Sequence, residues 1–246
     1  MDRLDAAAIL VPGVEVRVVE RCGSTNDLAL ESRAPLLIAA EQQTAGRGRR
    51  GRRWHSVRGA SITFSFARRI GRPAREFPAL SLVAGVGAAR ALREFGVPVR
   101  LKWPNDLEVQ GAKLGGILVE TRSGGHVVIG IGINCARTRG LEARVGRRMA
   151  FLRAFTAAAR NHVIERIAHR LVQALDQFEK RGLEALRSEW EAMHAHAGQR
   201  LRVRLANGRT LSGIATGLGA DGSLQIHTAR GERAVTSGRV LSARAA

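Results

Sequence analysis

The spacing of the hydrophobic residues changes twice along this chain of 246 residues, and this restricts the possible folds more than any other feature. Up to Cys135, short β-branched and apolar runs alternate with helical stretches. From about Asn161 the spacing is helical, and after Gly198 it alternates as in strands. The chain is therefore predicted to form a β-sheet with helices, then two amphipathic helices, then a small β-barrel.

Six strands are predicted in the first part of the chain, with one well-marked helix among them. The helix begins near Pro78, because proline suits a first turn, and it ends at Gly96, which is followed by Pro98. The predicted strands are residues 14–19, 36–41, 62–67, 99–103, 114–120 and 127–133.

Two helices and several short strands are predicted in the rest of the chain. Asn161 can cap the first helix and Gly182 can end it, whereas Gly198 is the expected stop of the second. Asn-Gly at 207–208 and Asp-Gly at 221–222 are typical hairpin turns. We expect two domains, residues 1–197 and residues 198–246. The apolar faces of the two helices carry Ile164, Ile167, Leu171, Leu175 and Phe178, then Leu183, Leu186, Trp190 and Met193.

The formal net charge of +19 is concentrated in one segment. All but three of the 40 basic residues are arginine, which we attribute largely to coding bias of the genome. Residues 41–75 nevertheless hold ten arginines against one acidic residue, Glu41. Such a segment attracts anions, which include nucleotides, nucleic acids and acidic proteins.

The sequence gives no sign of a membrane or secreted protein. No apolar run reaches the roughly 18 to 20 residues that a membrane span needs, and Asp2 and Asp5 are atypical of a secretory signal. Cys22 and Cys135 lack the spacing of a disulfide framework or a zinc site. We expect a cytoplasmic protein with reduced thiols.

Residues 23–27 (GSTND) lie between a predicted strand and an apolar run. Ser24, Thr25 and Asn26 suit the N-cap of a helix. Hydroxyl and amide groups at such a corner also suit a polar ligand such as a ureido ring, and the two interpretations can hold together.

Residues 42–56 (QQTAGRGRRGRRWHS) combine three glycines with five arginines. Their N–H and guanidinium groups suit a phosphate or a carboxylate, and the spacing fits neither a Walker A motif nor a dinucleotide-binding motif. An arginine-rich arm for nucleic acid is the alternative, although only Trp54 offers an aromatic ring nearby. We expect residues 46–53 to be mobile until a ligand binds.

Two of the chain's three lysines, Lys102 and Lys113, lie close to the segment Trp-Pro-Asn-Asp at 103–106. Because arginine is the usual base elsewhere, this choice indicates a need for a compact ammonium beside a carboxylate or phosphate oxygen. A lysine on a solvated hairpin is the alternative for either residue alone. Two roles stay open for Asp106: it orients Lys113 or it helps to bind Mg²⁺.

Residues 130–134 (GIGIN) form a predicted strand with two glycines. Glycine in a strand usually marks a bulge or a ligand close to the backbone. Asn134 either binds an adenine edge or a phosphate, or simply ends the strand as a turn residue.

Taken together, in this order and at these intervals, the four segments resemble a biotin protein ligase of the bacterial type. The resemblance is specific over about residues 15–135 and looser over the later helices and strands. It implies the α+β class: a mixed β-sheet with flanking helices, related to class II aminoacyl-tRNA synthetases and lipoate ligases, and a small C-terminal SH3-like β-barrel.

The resemblance also implies roles for individual residues. Lys113, Arg49 and Asp106 are implied to be catalytic, and no metal ligand is assigned. Contacts with biotin are implied for Ser24, Thr25, Asn26, Gln43, Arg47, Gly48, Arg49 and Lys113. Contacts with ATP or the adenylate are implied for Arg49, Arg50, Trp54, Asn105, Lys113 and Asn134.

The implied activity is an ATP-dependent ligase that needs Mg²⁺. It forms biotinyl-5'-AMP and transfers biotin to a lysine of the biotin carboxyl carrier protein of acetyl-CoA carboxylase. A ligase for another cofactor acid such as lipoate, and an arginine-rich nucleic-acid-binding protein, are the alternatives. A monomer or weak homodimer is expected.

Two departures from the family pattern lead to further expectations. Only 23 residues precede Ser24, too few for the helix-turn-helix domain of members that repress transcription, so we expect a ligase that binds no specific DNA. Residues 135–149 lack the proline-containing loop expected on the adenylate side, so no site residue is assigned beyond Asn134.

Overall fold

The computed structural model describes residues 2–32 and 35–245. A seven-stranded sheet forms the larger part of the fold. Its strands are β1 (Glu15–Cys22), β2 (Leu36–Gln43), β3 (Ser61–Arg69), β4 (Arg100–Lys102), β5 (Asp106–Val109), β6 (Ala112–Arg122) and β7 (His126–Asn134). The spatial order is β1-β2-β3-β7-β6-β5-β4. The sheet is mixed, because β1 and β2 run parallel and the other neighbours run antiparallel.

Five α-helices accompany the strands within the described residues. They are α1 (Thr25–Leu30), α2 (Leu80–Glu94), α3 (Leu141–Val145), α4 (Arg160–Arg181) and α5 (Glu184–Ala192). The two longest, α2 and α4, pack closely: a Cβ on Gly87 of α2 would lie 2.9 Å from the Cα of Leu171 in α4. Among the described residues, no helix is both long and apolar enough to cross a membrane.

A five-stranded antiparallel sheet follows α5. It is built from β8 (Arg200–Leu205), β9 (Thr210–Leu218), β10 (Leu224–Thr228), β11 (Gly231–Val235) and β12 (Gly238–Arg244), in the order β11-β10-β9-β8-β12. This arrangement is consistent with an SH3-like barrel. Buried residues of this sheet, such as Leu201 and Val203, belong to the same hydrophobic cluster as the main core. The indole Nε1 of Trp103 also donates to the carbonyl oxygen of Gly222, 3.1 Å away.

Most of the elements predicted from the sequence are confirmed. Each of the six predicted strands overlaps an observed strand, and both hairpin turns connect strands where expected. The strand β5 was not predicted, because a four-residue segment carries too little pattern of its own.

Two predicted helix boundaries are wrong. Asn161 is not the cap of α4, since the helix begins one residue earlier and the Asn161 side chain instead bonds the backbones of Arg3 and Asp5. Gly198 does not end α5, which stops at Ala192. After that point the backbone pairs with Leu101 of β4, and this pairing takes the place of helical hydrogen bonds.

Candidate active site

The central strands divide their side chains between two faces of the sheet. On β3, Ile62, Phe64 and Phe66 enter the main hydrophobic core. The alternate residues Thr63 and Ser65 are buried on the opposite face. The same division holds on β7, where isoleucines enter the core and the glycines and Asn134 alternate with them. Small and hydroxyl side chains therefore form the floor of a site on the second face.

A cavity of about 800 Å³ lies above this floor. Residues of the second sheet, among them Gly238 and Arg239, also contribute to its lining. The structure brings together in this cavity every site residue predicted from the sequence: Ser24, Thr25, Asn26, Gln43, Arg47, Gly48, Arg49, Arg50, Trp54, Asn105, Asp106, Lys113 and Asn134. The ligand roles assigned to these residues remain predictions.

One end of the cavity is a network of buried polar groups. Gln43 Oε1 accepts hydrogen bonds from the backbone N–H of Thr25 at 2.7 Å and from its hydroxyl at 2.9 Å. The Ser65 hydroxyl lies 2.7 Å from Thr25 Oγ1 and 2.5 Å from Asn26 Oδ1. Asn26 Nδ2 donates to Glu120 Oε2 at 2.6 Å. This end can offer donors and acceptors to a polar ligand at fixed positions.

Residues 24–26 lie at the start of α1 and line the cavity, so the N-cap position is confirmed for Ser24 and binding of a polar ligand stays a prediction. Ser24 occupies the N-cap position of α1, although its side chain makes no capping hydrogen bond. Asn26 fits closely against β7, because a Cβ on Gly130 would lie 2.3 Å from its Oδ1. The glycine therefore allows the amide to sit against the strand backbone.

The glycine-arginine loop is folded over the cavity. Arg47 makes two hydrogen bonds to Asp27, at 2.6 and 2.8 Å, and the backbone N–H of Gly48 donates to the carbonyl oxygen of Arg52 at 2.7 Å. Arg50 adopts the left-handed conformation (φ 59°) and donates to Ser237 Oγ of the second sheet at 3.0 Å. The side chains of Arg47 and Arg50 thus already have partners in the protein, and the mobility expected for residues 46–53 without a ligand stays a prediction.

Trp54 follows the loop and lies over β7. A Cβ on Gly132 would be 2.4 Å from two carbons of the indole ring. The Nζ of Lys113 lies 5.8 Å from the ring centroid, within range of a cation–π interaction. Within the described chain the buried indole Nε1 has no hydrogen-bond partner, so it can donate to a ligand.

Lys113 and Asp106 form an ion pair at the wall of the cavity. Lys113 Nζ donates to Asp106 Oδ1 at 2.6 Å, and both side chains are largely buried. Burial lowers the pKa of Lys113, although the nearby carboxylate opposes this effect. Burial would raise the pKa of Asp106, but Lys113 and Arg147 together hold it below its usual value. Each group of the pair thus favours the charged form of the other.

Asn105 and Asn134, both predicted as site residues, bond the backbone of strand β6, which carries Lys113. Asn105 Nδ2 donates to the carbonyl oxygen of Ile117 at 2.8 Å, and Asn134 Nδ2 donates to that of Lys113 at 3.0 Å. Asn134 is 2% exposed and lines the cavity, and its adenine contact stays a prediction.

Several guanidinium groups that line the cavity have no partner among the residues that the structure describes. Burial and the neighbouring Arg50 lower the pKa of Arg49. An anion in the cavity would relieve this repulsion and accept hydrogen bonds from these groups. Within the described residues, neither a hydrogen bond nor an ion pair engages the side chains of Arg49, Arg52, Arg144, Arg148 and Arg239.

Sequence reasoning missed several residues of this site. Ser65 was detectable, because residues 61–66 alternate hydroxyl and apolar side chains. Arg147 and Arg239 reach the cavity from distant segments, and no local pattern distinguishes them from the other arginines. The sequence also did not indicate Glu120 as a site residue, because its partner Asn26 lies 94 positions away in the chain.

Comparison with known proteins agrees with this geometry. The profile described as "Biotin/lipoate A/B protein ligase family" matches residues 18–134, and the "Biotin protein ligase C terminal domain" matches residues 196–241. The chain is 36% identical over 233 residues to the bifunctional ligase/repressor BirA of Escherichia coli. This alignment covers 90% of this chain and 72% of that protein.

Two further relatives match over nearly the whole chain. The biotin--[acetyl-CoA-carboxylase] ligase of Mycobacterium tuberculosis is 32% identical over 94% of this chain and 90% of its own length. The structure of the Aquifex aeolicus biotin protein ligase in complex with biotin and ATP superimposes with a TM-score of 0.80 at 27% identity, over 94% of this chain and 99% of that chain. The chain belongs to the biotin protein ligase family.

Proposed function

We propose that this chain activates biotin with ATP and then transfers it to a lysine of a biotin carboxyl carrier protein, that of acetyl-CoA carboxylase. In the first step a biotin carboxylate oxygen bonds to the α-phosphorus of ATP, and the bond from that phosphorus to the leaving pyrophosphate breaks. In the second step the neutral amine of the acceptor lysine attacks the acyl carbon. AMP leaves, and the amine proton passes to solvent.

The observation that carries this proposal is that one cavity is lined by Lys113, by neutral polar groups and by guanidinium groups. The neutral polar groups of Thr25, Asn26 and Gln43 suit a ureido ring. Guanidinium groups that have no partner among the described residues suit phosphates. The Lys113 ammonium in the same cavity would stabilise the charge that develops where carboxylate and α-phosphate meet.

Each predicted residue then has a role that its position supports. Ser24, Thr25, Asn26 and Gln43 would bind the biotin ring, with Arg47 and Gly48 closing over it. Arg49, Arg50 and Trp54 would cover the adenylate and exclude water from the anhydride. Asn105 and Asn134 would act by holding the strands around Lys113 and Asp106.

Magnesium would enter with ATP as part of the substrate. Among the described residues, no group of three or more His, Cys, Asp or Glu side chains is placed to hold a metal ion. Both carboxylate oxygens of Asp106 are already bonded, to Lys113 and Arg147. Phosphate oxygens would therefore supply most ligands of the ion.

We also propose that residues 1–197 and 198–246 are the two domains. The start of β8 at Arg200 and the family match from residue 196 support this boundary.

Release of pyrophosphate from MgATP tests the proposed function. We expect release that depends on biotin, and biotinylation of a carrier domain that is detected with streptavidin. A carrier whose acceptor lysine is replaced by arginine is the control and should stay unlabelled. Release with lipoate instead of biotin would favour the other ligase activity, and no release with either acid would overturn the proposal.

A further inference from the structure

Two ion pairs beside the cavity join residues that do not face each other across the strands. In the strand register, Lys102 of β4 faces Asp106 of β5, and Lys113 of β6 faces Glu108 of β5. Each lysine instead pairs with the carboxylate that faces the other lysine. Lys102 Nζ lies 3.0 Å from Glu108 Oε1, and Lys113 Nζ lies 2.6 Å from Asp106 Oδ1. Arg147 joins the two pairs, because it donates to Asp106 Oδ2 at 2.9 Å and to Glu108 Oε1 at 3.2 Å.

This exchange of ion-pair partners fixes the position of the Lys113 ammonium. Since Arg147 occupies Oδ2 of Asp106, Oδ1 is left for the lysine. Space for the ammonium comes from Gly116, where a Cβ would lie 3.0 Å from Lys113 Nζ. A side chain at residue 116 would displace the group that the proposed reaction needs.

Glu108 lines the cavity and holds the arrangement together through Lys102 and Arg147. Its side chain is only 2% exposed. It balances part of the charge of Lys102 and Arg147, which would otherwise repel Lys113. The imidazole of His196 lies 4.0 Å from it, and burial lowers the pKa of that histidine to about 4, so it adds no charge at neutral pH.

The backbone also ties Arg147 to Lys113. The N–H of Lys113 donates to the carbonyl oxygen of Arg148 at 3.1 Å, and the N–H of Ala150 donates to that of Lys113 at 2.9 Å. The segment that carries Arg147 is thus bonded to Lys113 on both sides, so a shift of one displaces the other.

We propose that Glu108 and Arg147 are positioning residues for adenylation: they hold Asp106, and through it the ammonium of Lys113, at the reacting carboxylate and phosphate. This inference rests on the proposed function. It differs from direct phosphate binding by Arg147, because it requires that the buried Glu108 act through the same route.

Steady-state adenylation of Glu108→Gln, Arg147→Met and the double variant tests the inference. We expect each single change to lower kcat for biotin-dependent pyrophosphate release by roughly tenfold to a hundredfold, as for a misplaced reactive group. The KM for biotin should stay within about twofold, because the ureido end is untouched. The double variant should be no slower than the slower single variant, since both residues act on one ammonium. Glu108→Asp should recover part of kcat, because it keeps the charge.

The matched control is Glu94→Gln, which removes a carboxylate paired with Arg166 and Arg170 outside the cavity. It should keep the wild-type kcat. Wild-type kcat in Arg147→Met, multiplicative losses in the double variant, or a raised KM for ATP at unchanged kcat would each overturn the inference. If Glu108→Gln does not fold, Arg147→Met decides, because its side chain is 27% exposed and its loss leaves the core intact. An inactive wild-type protein would instead contradict the proposed function.

Discussion

The indole of Trp54 lies directly over Gly132, so closely that a methyl group on that glycine would meet the ring carbons at 2.4 Å. The alternation of β7 places Gly132 on the face of the cavity, and its two neighbours in sequence, Ile131 and Ile133, enter the core. A glycine is therefore required where the loop closes, and this contact links the strand to the cover of the site.

The first prediction concerns this contact. Gly132→Ala should displace the indole and weaken closure over the adenylate by about 1 to 3 kcal/mol, the usual cost of overpacking. Retention of biotinyl-AMP, followed by rapid filtration, should fall accordingly while biotin binding is kept. Gly85→Ala is the control, because its nearest atom would lie at an ordinary 3.4 Å. Wild-type retention in Gly132→Ala would show that Trp54 does not close the site.

The second prediction concerns Lys113. Lys113→Ala should lower the adenylation rate by roughly 3 to 4 kcal/mol in activation free energy, because an ammonium at the reacting groups stabilises developing charge. Lys113→Arg should also fail, since a planar guanidinium does not fit beside Gly116 and Asp106. Pyrophosphate release and thermal unfolding should be measured together. Wild-type turnover in Lys113→Arg would contradict the argument from the scarcity of lysine.

The third prediction concerns the loop of residues 46–53. Trypsin should cut after Arg49, Arg50 or Arg52 in the free protein, and biotin plus MgATP should protect these bonds more than ATP alone. Arg47 should be cut more slowly, because Asp27 holds its guanidinium. Digestion followed by mass spectrometry gives the sites. Arg49→Ala should weaken the protection and release biotinyl-AMP, which then labels bystander proteins. Equal resistance with and without ligands would contradict the gating role.

The fourth prediction concerns a buried ion pair whose two residues are not among those that line the cavity. Arg160 and Glu41 are 1% and 3% exposed and share two hydrogen bonds of 2.9 Å. Arg160→Met should lower the free energy of unfolding by about 3 to 5 kcal/mol, since it leaves a buried carboxylate unpaired. Arg166→Met breaks a more exposed pair and should cost at most about 1 kcal/mol. Urea unfolding of both variants measures the two losses in the free energy of unfolding. Equal losses would contradict the prediction.

The fifth prediction concerns the pH dependence of stability. Burial lowers the pKa of His194 to about 3, against 6.5 in the unfolded chain, so the folded protein keeps this imidazole neutral. Because the unfolded chain binds the extra proton, the free energy of unfolding should fall as pH drops below 6.5. His194→Phe should reduce this slope between about pH 6.5 and 5, above the range of the carboxylates, and the remaining slope comes from His196, whose pKa burial lowers to about 4. An unchanged slope in His194→Phe would refute the assignment.

The sequence by itself determined the order of most strands and helices along the chain and the chemical groups of the candidate site. Both follow from local patterns: the spacing of residues such as Ile164 and Leu171 defines a helix face, and the segments around Asn26, Arg49, Lys113 and Asn134 carry their chemistry in contiguous letters. Only the tertiary structure decided that Lys113 forms an ion pair with Asp106. Glu108, the residue opposite Lys113 in the strand register, is not its partner. Only the tertiary structure brought Arg147 and Arg239 to the cavity, because such contacts depend on strand register and on how distant segments pack, which local sequence does not encode.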